Sequence, residues 1–270
     1  MVETYIGIGS NLGDRRDFCA RALGLLGMLP HSQLVRYSSA YETEPVGDVG
    51  GPFLNLVARV DTELPAGRLL LILKETERGL GRDRPSGSRT RWIVDPLDGT
   101  TNFTHGFPAF CVSIGLEAEG RIVLGVVYDP LRRELFEAEA GKGAYLNGQR
   151  IHVSTVPTLN KALLVTGFAY DRESRQRNLV HFERFVLASQ GLRRTGSAAL
   201  DLSYVAAGRV DGFWELKLAP WDVAAGSLLV TEAGGRITDF AGRPFNGDGA
   251  ETLATNGLIH QEMVKVLAGR

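Results

Sequence analysis

Cysteine is almost missing from this 270-residue chain. Cys19 and Cys111 are the only two, too few for a disulfide framework or a cysteine metal cluster, so a reducing cytoplasm is the expected setting. An excess of one charge is missing too: 30 Lys and Arg against 31 Asp and Glu leave a net charge of −1. That balance argues against a nucleic-acid partner held by a whole-surface field. No apolar run approaches the ~18 residues of a membrane span. The start, Met1 to Gly7, lacks the basic region and long apolar core of a signal peptide. Neither an internal repeat nor a long flexible linker is visible. What is present, 44% hydrophobic and 23% charged residues, is the composition of a soluble globule of one large or two small domains. His105, His152 and His181 stand singly, without ligand spacing.

The richest stretch is Trp92-Ile93-Val94-Asp95-Pro96-Leu97-Asp98-Gly99-Thr100-Thr101-Asn102. Trp92 to Val94 reads as the end of a buried strand that Pro96 stops. Asp95 and Asp98 then fall on a turn, able to converge on one hard cation. Gly99-Thr100-Thr101 reads as a helix start whose free N–H groups suit a phosphate oxygen. The plain alternative is a strand, an Asp-Gly turn and a cap. Downstream, strands and helices alternate: a hairpin across Glu119-Gly120, another at Asn147-Gly148, helices over 175–189 and 198–207, and a strand from Gly212 to Lys217. Trp221-Asp222 opens a further helix and His260 the last. This mixture implies a layered α/β fold. The first 85 residues read β-α-β-β-α, with strands at 5–9, 34–43 and 52–62 and a helix opened by Pro65. Gly7 and Gly9 do not make a dinucleotide fingerprint, because the third glycine, Gly13, comes one position late.

Two resemblances follow. The Asp95 to Thr101 motif, Trp221-Asp222 with Thr231-Glu232-Ala233-Gly234-Gly235, and Gly196-Ser197-Ala198-Ala199 with Glu215 resemble the inositol monophosphatase family over residues 89–267. That likeness implies a lithium-sensitive, Mg²⁺-dependent phosphatase, with Asp95, Asp98, Asp222 and the Leu97 carbonyl as metal ligands. Gly99 and Thr100 amides would hold the phosphate, and Thr100 would orient the attacking water. Glu215 and the Gly196, Ser197 and Ala198 backbone would contact polyol hydroxyls. The implied substrate is a small phosphate ester and the implied assembly a homodimer. Read alone, Asp222 is more often an N-cap than a ligand, and Glu215 is equally a solvated strand charge paired with Lys217. The family's N-terminal segment, with its metal-binding glutamate, is replaced; Glu75 stands 20 residues before Asp95 at a similar interval, with Glu77 beside it.

The replacing segment resembles hydroxymethyldihydropterin pyrophosphokinase. The likeness rests on Gly9-Ser10-Asn11-Leu12-Gly13-Asp14, Tyr41-Glu42-Thr43-Glu44-Pro45-Val46-Gly47, Phe53-Leu54-Asn55 and Glu77-Arg78-Gly79-Leu80-Gly81-Arg82-Asp83-Arg84. It implies a pterin pocket at Thr43, Pro45, Phe53 and Asn55, with Glu77, Arg82 and Arg84 near ATP. It stops near residue 85, before that family's own metal ligands. The expected organisation is therefore an incomplete ferredoxin-like segment, 1–85, joined to an inositol-monophosphatase-like domain, 86–270. A Mg²⁺-dependent phosphomonoesterase is the leading expectation. An ATP-dependent pterin kinase and a non-catalytic chimeric remnant are the alternatives.

Overall fold

The computed structural model describes residues 1–11, 13–43, 52–80 and 90–269. The chain forms two compact units, Met1–Ser88 and Arg89–Arg270. In the first, β1 (Val2–Ser10) leads to α1 (Arg15–Gly27), β2 (Ser32–Tyr37), β3 (Tyr41–Thr43), β4 (Phe53–Thr62) and α2 (Ala66–Gly79). Asp14 caps α1 by accepting the N–H groups of Arg16 and Asp17. β4 lies antiparallel between β1 and β2, and β3 pairs with its first residues. Leu56, Ala58 and Val60 alternate inward from β4 onto Cys19, Ala22 and Leu26 of α1 and Leu69 of α2. The single strand expected over 34–43 is two. Between them the Ser38 hydroxyl accepts the Val57 N–H at 3.0 Å, taking a bond that a regular ladder would give to backbone.

The second unit has four layers. An antiparallel six-stranded sheet contains β5 (Thr90–Asp98), followed by the short α3 (Thr100–Thr104), β6 (Cys111–Ala118), β7 (Arg121–Asp129), β8 (Glu134–Glu139), β9 (Gly143–Leu146) and β10 (Gln149–Ile151), each strand pairing with the next. A second sheet comprises β11 (Leu163–Thr166), then after α4 (Arg172–Ala188) β12 (Gly191–Arg193), after α5 (Ala198–Ala206) β13 (Gly212–Leu216), and after α6 (Pro220–Glu232) β14 (Arg236–Thr238) and β15 (Glu251–Thr255). Its order is β12-β11-β13-β15-β14, parallel at the first two pairings and antiparallel at the rest. Helices α5 and α6 fill the space between the sheets, sharing one core with Val127, Phe136, Val165, Phe213 and Ala254. α4 and α7 (His260–Leu267) cover the outer face of the second sheet, where Phe185 and Met263 pack with Trp214.

The close approach of α6 to the first sheet depends on two missing side chains. Gly115 and Gly125 are partners across β6 and β7. A Cβ on Gly115 would lie 2.9 Å from the Ala224 Cβ, and one on Gly125 2.8 Å from the Ala225 carbonyl oxygen.

β5 corrects the sequence reading at its centre. It does not end before Pro96 but runs to Asp98 through a bulge, where Asp95 to Asp98 faces only Ser113 to Cys111. Proline is tolerated there because a bulge residue owes no ladder N–H. Ile93 is buried, but Trp92 and Val94, expected inside, are each 45% exposed.

Candidate active site

The bulge in β5 turns Asp95 and Asp98 toward the start of α6. Each of Asp95, Asp98 and Asp222 offers an oxygen within 4.8 Å of the others, the one such acidic group among the described residues. Asp95 accepts the Leu97 N–H at 3.0 Å, a local Asx turn that fixes its carboxylate. Asp98 is buried, and its Oδ2 accepts the Ser197 hydroxyl at 2.6 Å and the Ala199 N–H at 2.8 Å. Asp222 sits in the first turn of α6, where its Oδ2 accepts the Ala219 N–H at 2.7 Å. Asp222 is therefore not the N-cap, which is Ala219; it stands at the third helical position, reaches back to the cap's N–H, and converges on the other two acids. Trp221 beside it is 48% exposed, while Trp214 is fully buried.

Next to these acids α3 begins. Gly99 is its N-cap at φ 85°, and a Cβ there would stand 2.7 Å from the Ala109 carbonyl oxygen, so glycine is needed twice over. The Thr100 hydroxyl donates to the Leu97 carbonyl at 2.8 Å. Sequence reading missed Asn102. Its buried amide donates to the Ala109 carbonyl at 2.6 Å and the Thr195 carbonyl at 2.8 Å, tying α3 to two loops. Only its place after Thr101 in the motif hinted at this.

Gly196, Ser197 and Ala198 form the turn into α5, with Ser197 as N-cap. Ser197 is buried and its hydroxyl serves Asp98, so this side chain supports a carboxylate, a role its expected part in polyol contact did not include. Glu215, on β13, is buried as well. Lys217 pairs with Asp171 at 3.1 Å, which removes the reading of Glu215 as a solvated partner of that lysine.

The remaining expected residues lie in the first unit. Phe53 and Asn55 are on β4, Thr43 ends β3, and Glu75 and Glu77 are on α2, Glu75 exposed. Asn55 lines a cleft of about 360 Å³ with Gly9, Ser38 and Tyr41. Pro45, Arg82 and Arg84 fall outside the described residues.

Burial, then the Asp95 charge, lifts the Asp98 carboxyl to about 6 against its hydrogen bonds from Ser197 and Ala199. Burial also lifts Asp222, to about 7, with Asp98 and Asp95 adding to the rise and the Ala219 N–H opposing it. Glu215 is lifted to about 8, by burial and then by Asp98 and Asp222, with Arg194 opposing. Crowded, part-buried carboxylates that repel one another are what a divalent cation relieves. An all-oxygen donor set suits a hard one.

Known proteins match the chain in two stretches. Residues 70–268 match the inositol monophosphatase family, and residues 5–97 match 7,8-dihydro-6-hydroxymethylpterin-pyrophosphokinase. An inositol-1-monophosphatase of Synechocystis is 51% identical over 178 residues, 66% of this chain and 62% of that protein. The Escherichia coli protein called Nus factor SuhB is 52% identical over 153 residues, 56% of this chain and 57% of its own length. The chain thus spans about three-fifths of these relatives. Among solved structures, inositol monophosphatase from Anabaena superposes with a TM-score of 0.68 at 44% identity, covering 75% of this chain and 85% of that one. The Thermotoga maritima IMPase gives 0.66 at 33% identity, covering 95% and 98%. The chain belongs to the inositol monophosphatase family.

Proposed function

We propose that the second unit is a Mg²⁺-dependent phosphatase for monoesters of small polyols, inositol monophosphate among them. The convergence of Asp95, Asp98 and Asp222 beside the Gly99 turn carries this reading. Those three carboxylates and the Leu97 carbonyl would hold Mg²⁺, which when bound supplies Lewis acidity toward the phosphoryl oxygens and acidifies coordinated water. The chain's own groups do the rest. The Gly99 and Thr100 amides receive phosphate oxygens at the start of α3. The Thr100 hydroxyl, already donating to Leu97, keeps its lone pairs for the hydrogen of the attacking water and so aims it at phosphorus. Glu215 accepts hydroxyl donors of the alcohol, and the Gly196 to Ala198 turn lines the same side.

Glu75 enters this proposal from its interval before Asp95 and from the family match, which begins at residue 70 and so includes it. The expectation of no nucleic-acid partner rests on net charge alone, and relatives named Nus factor are among those matched. No helix among the described residues is long and apolar enough to cross a membrane.

The test is phosphate release from inositol 1-phosphate against Mg²⁺ concentration, with Asp95→Asn as control. Release that requires Mg²⁺ and falls by at least a hundredfold in the variant is expected. Release no faster than the variant's would leave the unit a non-catalytic remnant. A second reading concerns the first unit, where the match of residues 5–97 to the pyrophosphokinase family supports binding of a pterin; of the expected pterin residues Asn55 lines the cleft, while Thr43 and Phe53 do not. Calorimetry with a hydroxymethylpterin and ATP tests it, and heat-silent titrations of both would remove it.

A further inference from the structure

The loop from Gly167 to Asp171, between β11 and α4, runs from one side of the candidate site to the other. At its start Gly167 lies against Glu215, where any Cβ would collide with both carboxylate oxygens. At its end Tyr170 places its hydroxyl 3.1 Å from the Thr101 hydroxyl, in the first turn of α3. Three residue steps cover at most about 10 Å of backbone. The loop thus links the proposed alcohol contact, Glu215, to the helix that begins at the proposed phosphate seat.

The loop holds its shape without the Tyr170 ring. Asn178 donates to the Gly167 carbonyl at 2.6 Å, and Arg175 donates to the carbonyls of Ala169 and Tyr170 at 3.1 and 3.0 Å. Asp171 caps α4 through the Ser174 N–H and pairs with Lys217. Phe168 packs on Phe182 with ring centroids 5.8 Å apart. Tyr170 itself is 83% exposed, so its ring contributes little to the core. An aromatic side chain held at one end by a hydroxyl contact with α3, with its ring otherwise in solvent, offers a surface for an apolar part of a ligand.

We infer that Tyr170 is a specificity-determining residue: its ring is the wall against which the C–H face of a six-membered cyclic polyol or sugar phosphate packs, favouring cyclic over short acyclic alcohols. The inference rests on the phosphatase reading of the same site. Exposed aromatics are also ordinary surface residues, and kinetics separate the two cases. In the full chain, Tyr170→Ala should raise KM for inositol 1-phosphate about tenfold. kcat should stay within about twofold, as should every constant for glycerol 2-phosphate. Tyr170→Phe, which loses only the link to Thr101, should retain most of the preference. An equal loss on both substrates, no loss, or a Phe variant as poor as the Ala variant would overturn the wall. If the unaltered protein hydrolyses neither ester, the phosphatase reading is what fails. Calorimetric binding of inositol 1-phosphate with Mg²⁺ then decides the inference: weaker binding to the Ala variant supports it, while equal binding or none to either protein overturns it.

Discussion

Ser197 shows how one small side chain serves two tasks. Its hydroxyl donates to Asp98 at 2.6 Å and accepts the Leu200 N–H at 3.4 Å, capping α5. Ser197→Ala therefore removes a charge-assisted bond and a cap together, and should cost about 2 kcal/mol by denaturant titration. It should also raise the Mg²⁺ needed for half-maximal phosphate release several-fold, since Asp98 then keeps only the Ala199 N–H and the weak Cys111 thiol contact; an unchanged requirement would mean that these two suffice to position it. His260 has a different consequence. It is fully buried, with hydroxyls of Thr238 and Thr255 each 2.9 Å from a ring nitrogen. Burial, then Arg236, depresses it from 6.5 to about 4. With the folded value below the unfolded one, the unfolded state binds the extra proton between them. Stability is whole above pH ~6.5 and falls as pH drops toward ~4, by about 3 kcal/mol at most. The raised carboxyls of Asp98, Asp222 and Glu215 push the opposite way, so the readout is a difference. The unfolding free energy of His260→Gln should fall less between pH 6.5 and 4.5 than that of the unaltered chain, and parallel curves would refute the assignment.

Elements were legible wherever local chemistry dictates backbone. Glu119-Gly120 and Asn147-Gly148 turn as their dipeptides require, all four residues at positive φ. The helix after Trp221 and the strand ending near Lys217 lie within a residue or two of their expected bounds. Elements were misread where a distant partner decides. Pro96 punctuates a strand in sequence, yet the β6 ladder carries β5 past it as a bulge, and that bulge aims the two aspartates. Trp92 reads as core by hydropathy but lies on a face of β5 that the described residues of its unit leave partly open. The acidic trio was readable because two of its members lie within one short motif. The bond from Ser197 to Asp98 spans 99 residues and has no local signal. Packing between elements gives its own prediction. Gly125→Ala forces a methyl into the Ala225 backbone and should destabilise by about 1–3 kcal/mol. Gly24→Ala, on an exposed and open face of α1, should stabilise by up to about 1 kcal/mol. Opposite signs in denaturant midpoints are the expected result; two losses would mean that α1 is packed on that face.

At the scale of the whole chain, two compact units with different family matches share one sequence, and the inositol monophosphatase match runs from residue 70, across the Ser88–Arg89 division. Trp92, Trp214 and Trp221 all belong to the second unit, so tryptophan fluorescence follows that unit alone while far-UV dichroism follows both. A ligand that binds only the folded state stabilises it by about 2.7 kcal/mol at a hundred times its Kd. Mg²⁺ at that level should move the fluorescence-detected unfolding by this amount, and Asp95→Asn should abolish the shift. Glu75→Gln gives the informative outcome. A shift cut to a fraction of its size places Glu75 among the groups that hold the cation, as its interval before Asp95 implies, and makes α2 part of the working phosphatase. A full shift removes Glu75 from the groups that hold the cation. The first unit would then owe the phosphatase nothing through that glutamate, and its cleft beside Asn55 would be the place to look for its own ligand.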